Sequence, residues 1–308
     1  MTRAAAAALR AARAVQVAAQ AKINLRLHVL AREASGFHQL ETLLLRLELA
    51  DVVRVRRAAT RTLDVTGDAD PVALGPVERN LAWRAALAYA DVAGWTDGFA
   101  IELEKRIPIG GGLGGGSADA GAVLRAMDAM ATKPLGEDAL LRIAFTLGAD
   151  VPFLTSSHAY ALAWGRGERL LALRPPRRRV VALIVPSFGV STREAYGWLE
   201  GPRASSTSLG DAGVLKASAL SDWKHIVPLA VNDFEPVVAT RHPIIDDLLA
   251  GLRGIGCAPA MLSGSGSVVF GVFQEEEHGI RFGPDDQNVV RGLVTSTAER
   301  VEPVLPVD

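Results

Sequence analysis

The stretch that decides the fold is Pro108-Ile-Gly-Gly-Gly-Leu-Gly-Gly-Gly-Ser-Ala-Asp-Ala120, in which six of the seven positions 110–116 are glycine. Glycine adopts positive φ and places no Cβ between converging N–H groups, and such groups form an anion-binding concavity. The sequence from Ser117 onward favours a helix, whose positive end would face the same anion. Residues 100–107 alternate apolar and charged side chains, which predicts a strand before the loop. This order of strand, loop and helix indicates a phosphate site.

Two better-known phosphate loops fit this stretch less well. A P-loop needs a lysine directly before its serine or threonine, and no lysine precedes Ser117 in the loop. A dinucleotide-binding pattern can be laid over Gly110, Gly112 and Gly115, but Lys105-Arg-Ile-Pro108 is a poor ending for a buried parallel strand. A flexible linker would have polar flanks, whereas this loop joins a strand to an apolar helix.

The composition indicates a soluble globular enzyme or binding protein, with 308 residues, 49% of them hydrophobic and 22% charged. A net charge of −1 gives no overall attraction to nucleic acid or membrane. The single cysteine, Cys257, excludes an internal disulfide and favours a reducing cytoplasm. No stretch approaches the roughly 18 apolar residues of a membrane span. We interpret residues 1–14 as a disordered Ala-rich extension and residues 174–179 as a solvated basic turn.

The pattern of the remaining chain predicts a mixture of strands and helices, and therefore an α+β fold. Strands are expected over residues 15–29, 41–49, 52–57 and 180–185. Helices are expected after a capping Asn80, over about 136–147 with Gly148 as a left-handed C-terminal residue, over 191–199 and within 232–252. The prolines at 175 and 176 mark the clearest change of composition. They predict domains at 15–174 and 175–308.

Two isolated charged residues are candidates for chemistry. Lys22 interrupts an apolar strand, where a charged group needs a partner, and Asp150 follows a predicted helix and precedes Pro152. A second glycine pair in Ser263-Gly-Ser-Gly266 predicts another close turn before a strand.

The chain resembles the GHMP kinases, the superfamily of galactokinase, homoserine kinase and mevalonate kinase. The resemblance rests on Pro108-x3-Gly-Leu-Gly-Gly-Gly-Ser-Ala118, on Ala21-Lys-Ile-Asn-Leu25 and on Leu262-Ser-Gly-Ser-Gly-Ser267. It implies a two-domain α+β fold, with an N-terminal domain like domain 2 of ribosomal protein S5, a ferredoxin-like C-terminal domain and an active site in the cleft between them.

Further motifs resemble one branch of this family, which phosphorylates the 2-hydroxyl of a cytidine diphosphate-linked methylerythritol in the non-mevalonate isoprenoid pathway. These are Gly36-Phe-His38, Leu147-Gly-Ala-Asp-Val-Pro152 and Asn232-Asp-Phe-Glu235, and the resemblance extends over residues 18–273. It implies ATP as the phosphoryl donor, Mg²⁺ with the nucleotide and a small-molecule acceptor. A cytoplasmic monomer or weak homodimer is expected, without nucleic acid or membrane partners.

The same resemblance implies roles for individual residues. Lys22 and Asp150 match the catalytic pair, and the dedicated metal ligands remain unassigned apart from a possible contact at Ser117. The ATP-binding residues implied are Pro108, Ile109, Gly110, Gly111, Gly112, Leu113, Gly114, Gly115, Gly116, Ser117 and Ala118, with Asn80 and Lys105 on the adenine side. The acceptor-binding residues implied are Asn24, Phe37, His38 and Tyr196.

Three alternatives stay open at this point. A sister kinase of the family could act on mevalonate, homoserine or a sugar, although such acceptors have no cytosine for Phe37 and His38 to bind. A catalytically silent sensor on the same scaffold is disfavoured because Lys22 and Asp150 are both present. A dehydrogenase would require the weaker dinucleotide reading of the glycine loop.

Overall fold

The computed structural model describes residues 3–34, 36–68, 74–203, 216–274 and 289–307. The acidic residues 275–277 lie outside these ranges. The helices are α1 (Arg3–Ala11), α2 (Leu81–Ala93), α3 (Gly115–Met130), α4 (Glu137–Leu147), α5 (Val151–Thr155), α6 (Thr192–Arg203), α7 (Trp223–Ile226), α8 (Glu235–Arg241) and α9 (Ile244–Gly254). In the part of the chain so described, no helix is long and apolar enough to cross a membrane.

The first of two sheets is built around a pair of long strands. Its strands are β1 (Ala14–Arg32), β2 (His38–Ala58), β3 (Thr62–Gly67), β4 (Gly98–Lys105), β5 (Tyr160–Gly165), β6 (Arg169–Ala172), β8 (Val231–Asn232) and β12 (Leu305–Val307). The order is β12-β1-β2-β4-β3, with β5 also on β2, β6 on β5 and β8 on β1. Period-two alternation of apolar residues in β1 and β2 places one face of this sheet against helices α3 and α5, on which α2 and α4 pack.

The second sheet is formed by strands that follow Pro175 in the chain. These are β7 (Val180–Pro186), β9 (Cys257–Leu262), β10 (Val269–Phe273) and β11 (Val289–Ser296), in the antiparallel order β11-β7-β10-β9. Helix α9 packs on it, so that Leu249 and Phe273 share a separate apolar cluster. Since β8 and β12 return to pair with β1, strands from both halves of the chain meet in the first sheet. The boundary near Pro175 stays a prediction.

The structure confirms the α+β class but corrects three local expectations. The predicted strands 41–49 and 52–57 are one strand, β2, which passes through Asp51 without a break. That carboxylate is fully buried and accepts the N–H of Ile107 at 2.8 Å, so it is tolerated inside the strand. Gly148 ends helix α4 with φ 165°, which is extended rather than left-handed.

The third correction concerns the Ala-rich N-terminus. Residues 3–11 were expected to be disordered, and they form helix α1 instead. Leu9 is 3% exposed in the core of the first sheet's domain, and α1 contacts α3 and β12. One buried leucine on an alanine-rich helix therefore fixes this segment to the protein, because alanine favours helix and costs no side-chain entropy.

Candidate active site

The glycine loop turns sharply and then opens a long helix, as the sequence predicts. Gly110, Gly112 and Gly114 all have positive φ, between 73° and 79°. Helix α3 starts directly after Gly114, and the N–H of Ala118 donates to the carbonyl of Gly114 at 2.8 Å. The first N–H groups of this 16-residue helix are therefore presented beside the loop.

The glycine loop packs against the second glycine turn, which lies between β9 and β10. Ser263 Oγ donates to the carbonyl oxygen of Gly112 at 3.0 Å, and the N–H of Val268 donates to that of Gly111 at 3.2 Å. A Cβ on Gly112 would lie 2.0 Å from the carbonyl oxygen of Ser263. The glycine loop and the turn between β9 and β10 thus connect the two sheets. Their main chains come this close because Gly112 has no Cβ.

Lys22 lies on β1 between these two turns. Its main-chain N–H donates to the carbonyl of Leu113 at 2.9 Å, within the glycine loop. A Cβ on Gly114 would be 3.1 Å from Lys22 Cε, and one on Gly264 would be 3.4 Å from Lys22 Nζ. The lysine side chain is only 3% exposed, so the ammonium is held at the point where the two turns meet.

Asp150 completes the pair with Lys22. Its Oδ2 lies 3.3 Å from Lys22 Nζ, and its side chain is 34% exposed, so the carboxylate faces both the ammonium and solvent. Asp150 directly precedes α5, whose Leu154 N–H donates to the Asp150 carbonyl at 3.1 Å. Helix α3 approaches this short helix closely, because a Cβ on Gly121 would lie 2.5 Å from the carbonyl oxygen of Leu154.

Asn24 orients the lysine. Its Oδ1 accepts a hydrogen bond from Lys22 Nζ at 2.7 Å, and its Nδ2 donates to Thr42 Oγ1 at 2.9 Å. Thr42 in turn donates to the carbonyl of Arg26 at 2.7 Å. Sequence reasoning missed Thr42, and its only signal was a hydroxyl residue at the start of an otherwise apolar run in β2. The chain of hydrogen bonds fixes the position of Lys22 Nζ.

Lys105 is buried next to the glycine loop. Its Nζ contacts Asp119 Oδ2 at 2.6 Å and also Asp51, and all three side chains are less than 5% exposed. Burial lowers the pKa of Lys105, but the charges of Asp119 and Asp51 outweigh this effect and raise it. The ammonium is thus engaged by two carboxylates, and the implied contact of Lys105 with adenine stays a prediction.

The two carboxylates around Lys105 have different surroundings. Asp51 also accepts main-chain N–H groups from Arg106 and Ile107, at 2.5 and 2.8 Å, whereas Oδ1 of Asp119 is buried without a hydrogen-bond partner among the described residues. Burial raises the pKa of Asp119, although the charge of Lys105 opposes the shift. Sequence reasoning missed both aspartates, because neither stands in a metal-like or catalytic spacing.

Asn80 is placed at the start of α2, as expected. Its Oδ1 accepts the N–H of Ala82 at 2.9 Å, which makes it the N-cap. The next residue, Leu81, lies 3.7 Å from where a Cβ on Gly116 would be, so this cap adjoins the glycine loop. Its implied contact with adenine stays a prediction.

The aromatic residues implied for the cytidine end form two separate contacts. His38 and Tyr196 stack on each other with ring centroids 4.7 Å apart, and the Tyr196 ring is perpendicular to that of Phe234, with centroids 5.0 Å apart. Phe37 is 59% exposed, with the Arg166 guanidinium 4.6 Å above its ring. A base that stacks on the His38-covered face of Tyr196 would have to replace the imidazole ring.

Within the described ranges, no group of three or more His, Cys, Asp or Glu side chains could hold a metal ion. The oxygen groups near the glycine loop include the Asp150 carboxylate and the Ser117 hydroxyl, which lies in the first turn of α3. This set fits a magnesium ion that arrives with a nucleotide, because Mg²⁺ is commonly held by one or two protein oxygens plus substrate phosphates.

Comparisons with known proteins agree with this geometry. The family model for the N-terminal domain of GHMP kinases matches residues 80–159, and that for the C-terminal domain matches residues 214–282. A 4-diphosphocytidyl-2-C-methyl-D-erythritol kinase from Citrifermentans bemidjiense is 36% identical over 262 residues, which is 85% of this chain and 90% of that protein. The chain belongs to the GHMP kinase family.

A second relative carries the same name. The protein from Desulfitobacterium hafniense, also a 4-diphosphocytidyl-2-C-methyl-D-erythritol kinase, is 38% identical over 85% of this chain and 88% of its own length. A crystal structure of a 4-(cytidine 5'-diphospho)-2C-methyl-D-erythritol kinase superposes with a TM-score of 0.70 at 31% identity, covering 92% of this chain and 98% of that one. A homoserine kinase from Cytophaga hutchinsonii, at 19% identity and a TM-score of 0.66, shares the fold.

Proposed function

We propose that this protein transfers the γ-phosphoryl group of ATP to the 2-hydroxyl of 4-diphosphocytidyl-2-C-methyl-D-erythritol, giving the 2-phosphate and ADP. The single observation that carries the proposal is the pair of Lys22 and Asp150, 3.3 Å apart, at the junction of two glycine turns. The similarity to kinases of that name over most of the chain supports the choice of acceptor.

Asp150 is the group that receives the acceptor's proton. Its carboxylate is partly exposed, so an alcohol can approach it within hydrogen-bond distance. As the bond between the hydroxyl oxygen and the γ-phosphorus forms, that proton passes to Asp150 and ADP leaves. Such a base contributes about 10²- to 10⁴-fold in rate.

Lys22 supplies positive charge at the same place. Phosphoryl transfer depends mainly on positioning and on stabilising charge on the transferred group. A buried ammonium acts strongly there, because charge interactions are weakly screened away from water. Asn24 and Asp150 hold it from two directions, so little reorganisation is needed when the phosphoryl group moves.

The glycine loop and the start of α3 hold the phosphates of ATP. Main-chain N–H groups and the helix N-terminus favour anions, and Ser117 is the side chain there that can contact a nucleotide-bound Mg²⁺. That ion would neutralise phosphate charge during transfer. The Lys105, Asp51 and Asp119 cluster supports the loop from below.

His38, Tyr196 and Phe37 bind the cytidine end. Stacking of a base on an aromatic side chain contributes about 1–3 kcal/mol, which is enough to select a cytidine-linked alcohol over a small alcohol. A cytoplasmic location and a monomeric or weakly dimeric state stay predictions.

The experiment that tests this proposal is release of ADP with the cytidine diphosphate-linked acceptor, with mevalonate and homoserine as competing acceptors. We expect turnover with the cytidine diphosphate-linked acceptor and none with mevalonate or homoserine. Turnover with mevalonate or homoserine instead would support a sister activity of the family.

A further inference from the structure

Arg46 is the largest fully buried side chain of the protein's described part, and the proposed chemistry leaves it without a role. It lies on β2 directly opposite Lys22 of β1 in the strand register. Side chains of directly opposed residues in an antiparallel pair project on the same face of the sheet. The side chains of Lys22 and Arg46 therefore leave neighbouring strands next to each other, on the same face of the sheet.

The side chains of Lys22 and Arg46 contact opposite ends of the segment that contains α5. Lys22 contacts Asp150, which precedes α5. The Arg46 guanidinium holds the other end of α5: Nη2 donates to the carbonyls of Phe153 at 2.8 Å and Ser156 at 3.1 Å, and Nε donates to that of His158 at 3.0 Å.

Two further contacts make this connection rigid. The Arg46 main-chain N–H donates to the carbonyl of Ala159 at 2.9 Å, and its guanidinium lies 5.1 Å from the Phe153 ring centroid. Carbonyls at the end of a helix have no partners within it, so a fork of N–H donors satisfies several at once. Helix α5 is only five residues long and cannot hold its own position.

The arrangement is costly, which argues that it serves a purpose. The partners of Arg46 within the described residues are neutral carbonyls and a ring, and its Nη1 has no hydrogen-bond partner there. Burial and the nearby charge of Arg125 lower the pKa of Arg46 well below its usual value. An apolar residue at this place would avoid that cost.

We propose that Arg46 is a positioning residue, which sets the separation between Lys22 and Asp150 by linking the strand opposite Lys22 to the end of the helix that follows Asp150. This inference rests on the proposed function for its catalytic consequence. A displacement of about 1 Å in a reacting group can cost about 100-fold in rate. Loss of the link therefore lowers kcat while the glycine loop continues to bind ATP.

The test is a double-mutant cycle on kcat with Arg46→Met and Asp150→Asn. If Arg46 acts through Asp150, Arg46→Met lowers kcat by roughly 10- to 100-fold in the parent and by less than about threefold in Asp150→Asn. The KM for ATP stays within about twofold in both. Equal losses in the two backgrounds would overturn the proposal, because loss of folded protein alone multiplies both rates equally.

Arg125→Met is the matched control. Arg125 is also a buried guanidinium, its pKa is lowered by burial to about 10, and it donates to the carbonyl of Glu302 at 2.9 Å rather than to α5. We expect Arg125→Met to leave kcat per folded molecule unchanged. A kcat loss equal to that of Arg46→Met would show that any buried arginine has this effect, and would overturn the proposal.

Hydrogen exchange gives a second measurement that does not depend on the reaction. The amides of Leu154 and Ser156 donate to the carbonyls of Asp150 and Pro152 and so join α5 to the residues at its two ends. We expect them to exchange roughly tenfold faster in Arg46→Met and at the parental rate in Arg125→Met. If Arg46→Met does not fold, Arg46→Lys takes its place, because the single lysine nitrogen cannot occupy the positions of both Nε and Nη2.

These outcomes separate the two proposals. A parent enzyme that does not phosphorylate the cytidine diphosphate-linked acceptor contradicts the proposed function, and the exchange rates then decide alone whether Arg46 holds α5. Unchanged exchange at Leu154 and Ser156 contradicts the positioning role even if the parent is fully active.

Discussion

Lys22 Nζ lies 3.3 Å from Asp150 Oδ2, although the two residues belong to distant parts of the chain. The lysine is fixed by β1 and by Asn24, and the aspartate by the turn before α5. Helix α3 packs against both α5 and the first sheet, which helps to bring the two residues together. An ion pair of one buried and one solvent-facing group, placed beside glycine turns, is the feature on which the proposed chemistry depends.

Lys22→Met should remove the charge and retain much of the volume. We expect kcat to fall by about 10²- to 10³-fold, the loss typical of removing one stabilising donor from a transition state. Lys224→Met is the control, because Lys224 is 69% exposed and pairs with Asp222 away from the glycine turns. Steady-state kinetics of both variants measure the change in kcat. A Lys22→Met enzyme with parental kcat would remove this lysine from the mechanism.

Gly112→Ala should destabilise the junction of the two glycine turns. Its added Cβ would lie 2.0 Å from the Ser263 carbonyl oxygen, and its φ is +79°. Gly110→Ala is the matched control, since Gly110 has φ +74° but nothing within 4 Å of an added Cβ. We expect Gly110→Ala to cost about 1–2 kcal/mol in the free energy of unfolding from its backbone conformation alone.

The expected cost of Gly112→Ala is at least about 2 kcal/mol more than that, together with a raised KM for ATP, because main-chain atoms must move apart. Urea unfolding of both variants measures the difference. Equal costs would mean that the close approach of the turns does not hold in solution.

Asp119→Asn should change how stability depends on pH. Burial raises the pKa of Asp119 from its usual value near 4 to about 8. A carboxyl group with a raised pKa binds its proton more tightly in the folded state, so its contribution to stability is present at low pH and is lost as the pH rises towards 8.

Relative to the parent, we therefore expect the free energy of unfolding of Asp119→Asn to rise by at least about 1 kcal/mol between pH 5 and pH 8. This lower limit is smaller than the free energy that corresponds to a shift of one pKa unit. Asp138→Asn, at an exposed position of α4, is the control. Urea titrations at pH 5, 6.5 and 8 provide the measurement. A difference that stays constant with pH would show that Asp119 ionises as an ordinary carboxyl group does.

Tyr196→Ala should weaken binding of the acceptor without affecting ATP. Loss of a stacking contact of about 1–3 kcal/mol corresponds to a rise in the acceptor KM of roughly 5- to 150-fold. Trp198→Ala, on the same helix but packed beneath Arg241 at 4.6 Å, is the control and should leave that KM unchanged. A Tyr196→Ala enzyme whose KM rises for ATP instead would place the tyrosine at the nucleotide end.

The sequence was sufficient to predict the features that depend on local backbone chemistry. The glycine loop, the helix after it, the Asn80 cap and the alternating strands follow from φ preferences, capping and periodicity. The α+β class and the family were also predictable, and both are confirmed. The roles of Lys22 and Asp150 came from the family resemblance, and their short separation supports these roles.

The features that the sequence did not predict depend on partners far away in the chain. Asp51 was expected to lie in a break between two strands, because the N–H groups that it accepts come from the segment after β4. Lys105 looked like a residue at the edge of the nucleotide site, since nothing local reveals the two carboxylates around it. Arg46 interrupts an apolar strand as Lys22 does, but its partners could not be predicted, because these carbonyls become neighbours only after folding.

The most direct test of the account is ADP release by the parent and by Asp150→Asn with the cytidine diphosphate-linked acceptor. We predict turnover by the parent, a kcat at least ~100-fold lower in the variant from loss of the base, and a KM for ATP that changes little. An Asp150→Asn enzyme that phosphorylates this acceptor at the parental rate would contradict the central claim.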